Sequence, residues 1–204
     1  MAPKRTNRPS AGGELSIIGG DWRSRKLRFP DAGGVRPTPA RTRETLFNWL
    51  AGAIPGSHCL DLFSGSGALG LEALSRGAAS VTLVEQNRAL AEALGHNLAL
   101  LKSRDGQVIC QSVEQFLARS PSRPFDIIFM DPPFRQGWPE HLLPVLERCG
   151  WVTAGGWVYA EYESEKASLS PPPGWQLHRE KAAGQVRYCL FRAGTKTPSE
   201  QGYQ

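Results

Sequence analysis

His58-Cys59-Leu60-Asp61-Leu62 runs directly into Phe63-Ser64-Gly65-Ser66-Gly67-Ala68-Leu69-Gly70, and a helical pattern carries on to Arg76. A short apolar strand, a loop spaced GxGxxG and a helix make the opening of a βαβ unit. Outward from there the alternation repeats. Ser80 to Val84 reads as a strand and Arg88 to Leu101 as a helix. Gln107 to Cys110 and Phe125 to Met130 are further strands, with a short helix from Val113 to Ala118 between them. A helix from Pro139 to Cys149 precedes a strand near Trp157 to Glu161, and Trp175–Lys181 and Arg187–Phe191 form a closing antiparallel pair around Gly184. Strands alternating with helices predict an α/β fold with a parallel sheet covered on both faces. In such a sheet ligands bind beyond the carboxyl ends of the strands.

On the amino-terminal side, Leu15 to Phe29 predicts a small β-hairpin turning at Gly19-Gly20, and Thr42 to Leu50 a helix with Leu46, Phe47, Trp49 and Leu50 on its apolar face. The expected division is a basic tail over 1–13, a hairpin and helix over 14–50, the main domain over 51–193 and a loose tail over 194–204.

The glycine loop alone does not choose its ligand. Phe63, Gly65, Ser66 and Gly67 can hold any nucleotide-like group against the backbone. Asp61, just before the glycines, favours a cation. A dinucleotide would bring a pyrophosphate here, and a carboxylate repels it. S-adenosylmethionine carries a sulfonium and an ammonium, which a carboxylate attracts. A loop-ordering role for Asp61 is the alternative. Glu85 ends the second strand, where an acidic side chain accepts both ribose hydroxyls of a nucleoside, whichever cofactor carries it. Ser112, after the third strand, can sit near the adenine or simply cap a helix.

Asp131-Pro132-Pro133-Phe134 follows the apolar strand 125–130. Two prolines stop and stiffen the chain, but stiffness alone explains neither the acid nor the aromatic ring. Amine methylation explains all four. An exocyclic amine on a base delocalises its lone pair and is a poor nucleophile. If the Asp131 carboxylate and the Pro132 carbonyl each accept one N–H, the lone pair is aimed at the methyl donor and the developing cation is stabilised. Pro133 holds the carbonyl, and Phe134 offers a ring for the unstacked base. Two acceptor oxygens on Asp131 suit guanine, whose edge presents adjacent N1–H and N2–H donors.

Charge is distributed unevenly. Residues 1–43 carry ten Lys/Arg against three Asp/Glu, a net of +7, and the remainder is slightly acidic. Arg23, Arg25, Lys26 and Arg28 alternate with apolar residues, a pattern that fits a polyanion, nucleic acid first, better than a solvated tail does. Cys59, Cys110, Cys149 and Cys189 form no CxxC pair and do not cluster with histidines, which argues against a metal site. Cys59 and Cys110 lie in apolar segments and are expected to behave as small hydrophobes. No apolar run approaches the ~20 residues of a membrane span, and the polar basic amino terminus has no secretory pattern. A cytoplasmic location is expected.

These residues together resemble the class I methyltransferases with a (D/N)PP(F/Y) motif, and the RsmD family in particular. The resemblance is carried by Arg36-Pro37-Thr38 with Arg41, Arg43 and 44–50 (ETLFNWL). Leu60-Asp61, Phe63 and 65–76 (GSGALGLEALSR) extend it, as do 131–135 (DPPFR) and 177–181 (LHREK) with Gly184-Gln185-Val186. It spans about residues 15 to 192. It implies a seven-stranded, mostly parallel Rossmann-like sheet with one antiparallel strand, and transfer of a methyl group from S-adenosylmethionine to N2 of guanine 966 in 16S ribosomal RNA. The expected partner is 16S ribosomal RNA within the small ribosomal subunit or its assembly intermediate, and a monomer without metal is expected. The 36–43 segment, with Arg43, would close over the cofactor, and Arg36 and Arg41 would join Arg23, Arg25, Lys26 and Arg28 on the RNA. Other amino acceptors in DNA, RNA or protein fit the tetrapeptide but not the whole-chain resemblance. A non-catalytic RNA-binding factor would have no use for Asp61, Glu85 and Asp131. An NAD enzyme would place phosphate against Asp61.

Overall fold

Alternate residues of the run 125–130 face opposite ways, and that alternation builds the two layers of the core. Ile127 and Phe129 pack to one side, and Ile128 and Met130 to the other, all of them buried. A strand apolar on both faces belongs in the middle of a covered sheet. The computed structural model describes residues 12–32, 37–166 and 168–195. Most of the expected 1–13 and 194–204 tails, and Arg36, lie outside them.

The strands are β1 (Gly13–Ser16), β2 (Lys26–Phe29), β3 (His58–Asp61), β4 (Ser80–Val84), β5 (Gly106–Ile109), β6 (Phe125–Met130), β7 (Val152–Glu163), β8 (Gln176–Ala183) and β9 (Val186–Arg192). The helices are α1 (Ala40–Trp49), α2 (Gly70–Ser75), α3 (Arg88–Leu100), α4 (Val113–Leu117) and α5 (Trp138–Arg148). β1 and β2 pair antiparallel as a separate hairpin. The other seven strands form one sheet in the order β5-β4-β3-β6-β7-β9-β8. β3 to β7 run parallel, and β9 is antiparallel to both neighbours. This is the Rossmann-like class I methyltransferase fold.

β3 lies between β4 and β6, so the chain winds outward first to one side and then to the other. The crevice where direction reverses opens between the carboxyl ends of β3 and β6. Asp61 ends one strand and Asp131 follows the other.

The hairpin packs on the α2–α3 side of the sheet. Leu15, Ile17, Leu27 and Phe29 share a buried cluster with Leu46, Phe47, Leu71 and Leu94. Polar contacts fix its angle: Glu72 accepts the Ile18 N–H at 2.9 Å, and Asn97 donates to the Arg28 carbonyl at 3.1 Å. The opposite layer is built from α4 and α5, with Val113, Leu117, Leu142, Leu143 and Leu146 over Leu60, Ile128 and Val158.

Two expectations change. β7 begins at Val152 rather than near Trp157, because its register slips: Phe125 faces Val152, yet Ile127 faces Trp157. Gly155, at φ 69°, takes up the extra residues as a bulge that the Gly155-Gly156 pair disguises as a break. Cys59 is buried, but Cys110 is exposed, since it follows β5 at the sheet edge. Among the described residues no group of His, Cys, Asp or Glu is arranged to hold a metal, and no helix is long and apolar enough to cross a membrane.

Candidate active site

The loop after β3 is shaped by its own backbone. Gly67 takes φ 83°, and a Cβ there would strike Leu71 and Leu94, so no larger residue fits. The Gly70 N–H at the start of α2 donates to Asp61 Oδ2 at 3.0 Å. The Gly65 N–H donates to Glu85 Oε2 at 2.8 Å, and the Asn87 N–H to Glu85 Oε1 at 2.7 Å. Asp61 and Glu85 therefore hold the glycine loop from two strands, and the loop-ordering alternative for Asp61 is realised together with its place in the cavity wall.

Above these strand ends lies a cavity of about 810 Å³. Asp61, Glu85, Glu114, Asp131 and Glu161 line it, and the described lining contains no Lys or Arg. Phosphate is therefore poorly matched, whereas a cationic nucleoside such as S-adenosylmethionine fits. Phe63, Gly65 and Ser66 also line the wall, and Phe63 packs edge-on to Trp138 with ring centroids 5.4 Å apart.

Asp131, Pro132, Pro133 and Phe134 close the floor and one rim of the same cavity. Pro132 is buried, and Phe134 is 44% exposed, which leaves its ring open to a planar partner. Arg135 follows in the left-handed region at φ 63°, and its N–H donates to Glu163, which fixes the turn after the motif. The Thr38 hydroxyl donates to Asp131 Oδ2 at 2.8 Å. Met130 faces Ala160 across the sheet, so the next residues, Asp131 and Glu161, stand side by side with carboxyls in hydrogen-bonding reach. The Tyr159 hydroxyl donates to Glu161 Oε1 at 2.6 Å.

Crowding acids at a dry strand end makes ionisation costly. Burial pushes the Asp61 carboxyl up to about 7, against the pull of the Gly70 amide, with Asp131 and Glu85 adding repulsion. Burial raises Asp131 to about 6, against the downward pull of its hydrogen bonds with Thr38 and Glu161. Glu161 is driven well above the carboxylate range, first by burial and then by the charge of Asp131.

Three residues expected at the cofactor stand elsewhere. Arg43 is 3% exposed and turned away from the cavity. Its Nε donates to the Thr38 carbonyl at 3.1 Å, Nη1 and Nη2 each donate to the Ser16 carbonyl at 3.0 Å, and Nη1 meets Glu72 at 3.4 Å. A buried guanidinium needs such acceptors more than it needs a ligand. Ser112 forms a capping box with Gln115 at α4, and Val113 and Glu114 line the wall instead. Gly67 serves packing under the loop. Arg23, Arg25, Lys26 and Arg28 are exposed on the hairpin and its turn, and Arg41 is exposed at the start of α1.

Tyr159 and Glu161 are absent from the sequence-based expectations, and Thr38 enters them only as part of the 36–43 segment, without its bond to Asp131. An acid inside the apolar run Val158-Tyr159-Ala160-Glu161-Tyr162, level with the end of a central strand, was the available signal.

The family model described as "Conserved hypothetical protein 95" matches residues 15–192. Ribosomal RNA small subunit methyltransferase D of Escherichia coli (strain K12) is 49% identical over 191 residues, which cover 94% of this chain and 96% of that protein. The Haemophilus influenzae protein of the same name is 43% identical over 192 residues, 93% of this chain and 99% of its own. Among solved structures, "Putative methyltransferase yhhF from Escherichia coli" aligns with a TM-score of 0.84 at 48% identity, over 90% of this chain and 100% of that one.

Proposed function

The chain belongs to the RsmD methyltransferase family, and from that premise we propose that it methylates the N2 amine of guanine 966 in 16S ribosomal RNA. Its methyl donor is S-adenosylmethionine, which when bound supplies an electrophilic methyl carbon on a sulfonium. Ribosomal RNA as the substrate is supported by the names of the close relatives; guanine 966 and its N2 atom are what the family resemblance implies, and the site contributes the preference for an exocyclic amine.

The observation that carries this reading is Asp131, on the floor of a cavity lined by carboxylates, beside the open ring of Phe134. The flipped guanine stacks on Phe134. Asp131 and the Pro132 carbonyl accept hydrogen from its amine, which draws the nitrogen toward tetrahedral geometry and aims its lone pair. Transfer of the methyl group would leave positive charge on that nitrogen, and the same two acceptors would stabilise it. The surplus proton leaves to Asp131 or to water. Asp61 and Glu85, both in the cavity wall, would hold the donor's cationic and ribose portions. Residues 14–50 grip RNA through Arg23, Arg25, Lys26, Arg28, Arg36 and Arg41, over the methyltransferase domain at 51–193.

The test is mass spectrometry of ribosomal RNA from cells lacking the protein, complemented with wild type or with Asp131→Asn. The N2-methyl mark at guanine 966 should vanish in the deletion and return with wild type. Asp131→Asn, with one acceptor oxygen fewer, should lower turnover by roughly 10²-fold. A mark that persists in the deletion overturns the assignment.

A further inference from the structure

We propose that Glu161 is a positioning residue: it carries the proton of an acid–carboxylate pair with Asp131 and donates it to Asp131, so that the charged member faces the substrate amine. The inference rests on the role given to Asp131 above.

The geometry is a row of four side chains from three separate segments. Tyr159 donates to Glu161 Oε1 at 2.6 Å. Glu161, within β7, and Asp131, just past the end of the neighbouring β6, meet carboxyl to carboxyl. Thr38 donates to Asp131 Oδ2 at 2.8 Å. Two ionised carboxyls have only acceptors to offer each other, so a hydrogen bond between them requires one proton. That proton belongs on Glu161, which is 3% exposed, whereas Asp131 retains partial access to the cavity. The other titratable groups facing the pair give no reason to ionise both. Asp61 on β3 is a further acid, with Glu85 beyond it, and Tyr159 and Tyr188 close the β7–β9 side. The consistent arrangement runs in one direction: Tyr159 to Glu161, Glu161 to Asp131, Thr38 to Asp131. Every donor points toward Asp131, which stays charged and cannot rotate without breaking a bond on either side.

A neutral Glu161 has a purpose in this reaction. Acceptor strength toward the amine must sit at one oxygen, and a second free carboxylate would compete for the same N–H groups. It would also destabilise Asp131 as an anion.

The test is a pH titration of the full-length protein, labelled with ¹³C at Asp and Glu carboxyls and observed by NMR without RNA. The Asp131 carbon should respond to two steps: its own near pH 6, and a second, far above the carboxylate range, belonging to Glu161. Glu161→Gln should abolish the second step. A single Asp131 step, the same in both proteins, overturns the proposal. Because this readout needs no methyl acceptor, it stands even if guanine 966 proves to be the wrong target. Turnover gives the second arm. Glu161→Met, similar in size without a donor, should lower kcat by roughly 10²-fold with S-adenosylmethionine affinity kept. Glu161→Gln, whose amide can both donate to Asp131 and accept from Tyr159, should recover at least about tenfold of that loss. A Gln variant as impaired as Met, with both folded by thermal melting, means the carboxylate itself is needed and overturns the proposal.

Discussion

The hydroxyl of Thr38 donates to Oδ2 of Asp131 at 2.8 Å, across 93 positions of sequence. Thr38 is in turn held by Arg43, whose guanidinium grips the Thr38 carbonyl and the Ser16 carbonyl together. Two side chains thus connect the basic hairpin to the floor of the cavity. A hydrogen bond to the charged form of a carboxyl lowers its pKa, so Thr38 keeps Asp131 ionised nearer neutrality than burial alone would.

Thr38→Val removes that donor without changing shape. The Asp131 pKa should rise above about 6, and the acidic limb of kcat should move to higher pH by about half to one pH unit. Turnover would be reduced most below neutrality and recover in alkaline buffer. A pH–kcat profile identical to wild type would remove Thr38 from the mechanism.

S-adenosylmethionine should bind more tightly as pH rises through about 7, the value at which Asp61 ionises. The folded pKa lies above the unfolded one, so the ligand-free protein loses stability from Asp61 as pH climbs from about 4 to about 7 and no further above that. A cation beside Asp61 reverses the preference and expels the proton. Calorimetry in two buffers of different ionisation heat should register proton release on binding near neutral pH. S-adenosylhomocysteine, without the sulfonium, should show less. Equal and pH-independent affinities would refute this account of Asp61.

Arg43→Met leaves Glu72, itself fully buried, with one cation, Arg76, beside the Ile18 N–H. Breaking a buried ionic cluster from one side costs about 3–5 kcal/mol, measurable by urea unfolding. Arg43→Lys should cost less. In the folded fraction, affinity for S-adenosylmethionine should stay within about threefold of wild type, because Arg43 faces the hairpin. A large affinity loss with unchanged stability would restore Arg43 to the cofactor site.

Arg23→Ala and Arg25→Ala should weaken binding to 16S RNA and flatten its salt dependence by about one contact each, leaving cofactor affinity untouched. Both side chains are exposed on the hairpin turn, so stability should hardly change. Filter binding across a salt series gives the slope, and unaltered slopes would move the RNA footprint elsewhere.

Local patterns were legible because their causes are local. The apolar run of 125–130, the glycine spacing of 65–70 and the basic–apolar interleaving of 23–29 each state a strand, a turn or a surface within a few residues. The closing pair around Gly184 was legible for the same reason. β7 was read short because Gly155-Gly156 resembles a break, and only pairing with β6 reveals a bulge. Arg43 was misplaced because a motif arginine beside a binding segment reads as a ligand contact until a buried acid is found across from it.

The chain of residues alone determined the α/β alternation, the acids at strand ends and the Asp131–Phe134 motif. Each follows from periodicity or from chemistry carried within one short segment. Tertiary structure alone decided which acids meet. Register between β6 and β7 sets Glu161 beside Asp131, and the fold brings Thr38 to the same carboxyl. Ionisation depends on distance and burial in space, and neither is written in the order of residues.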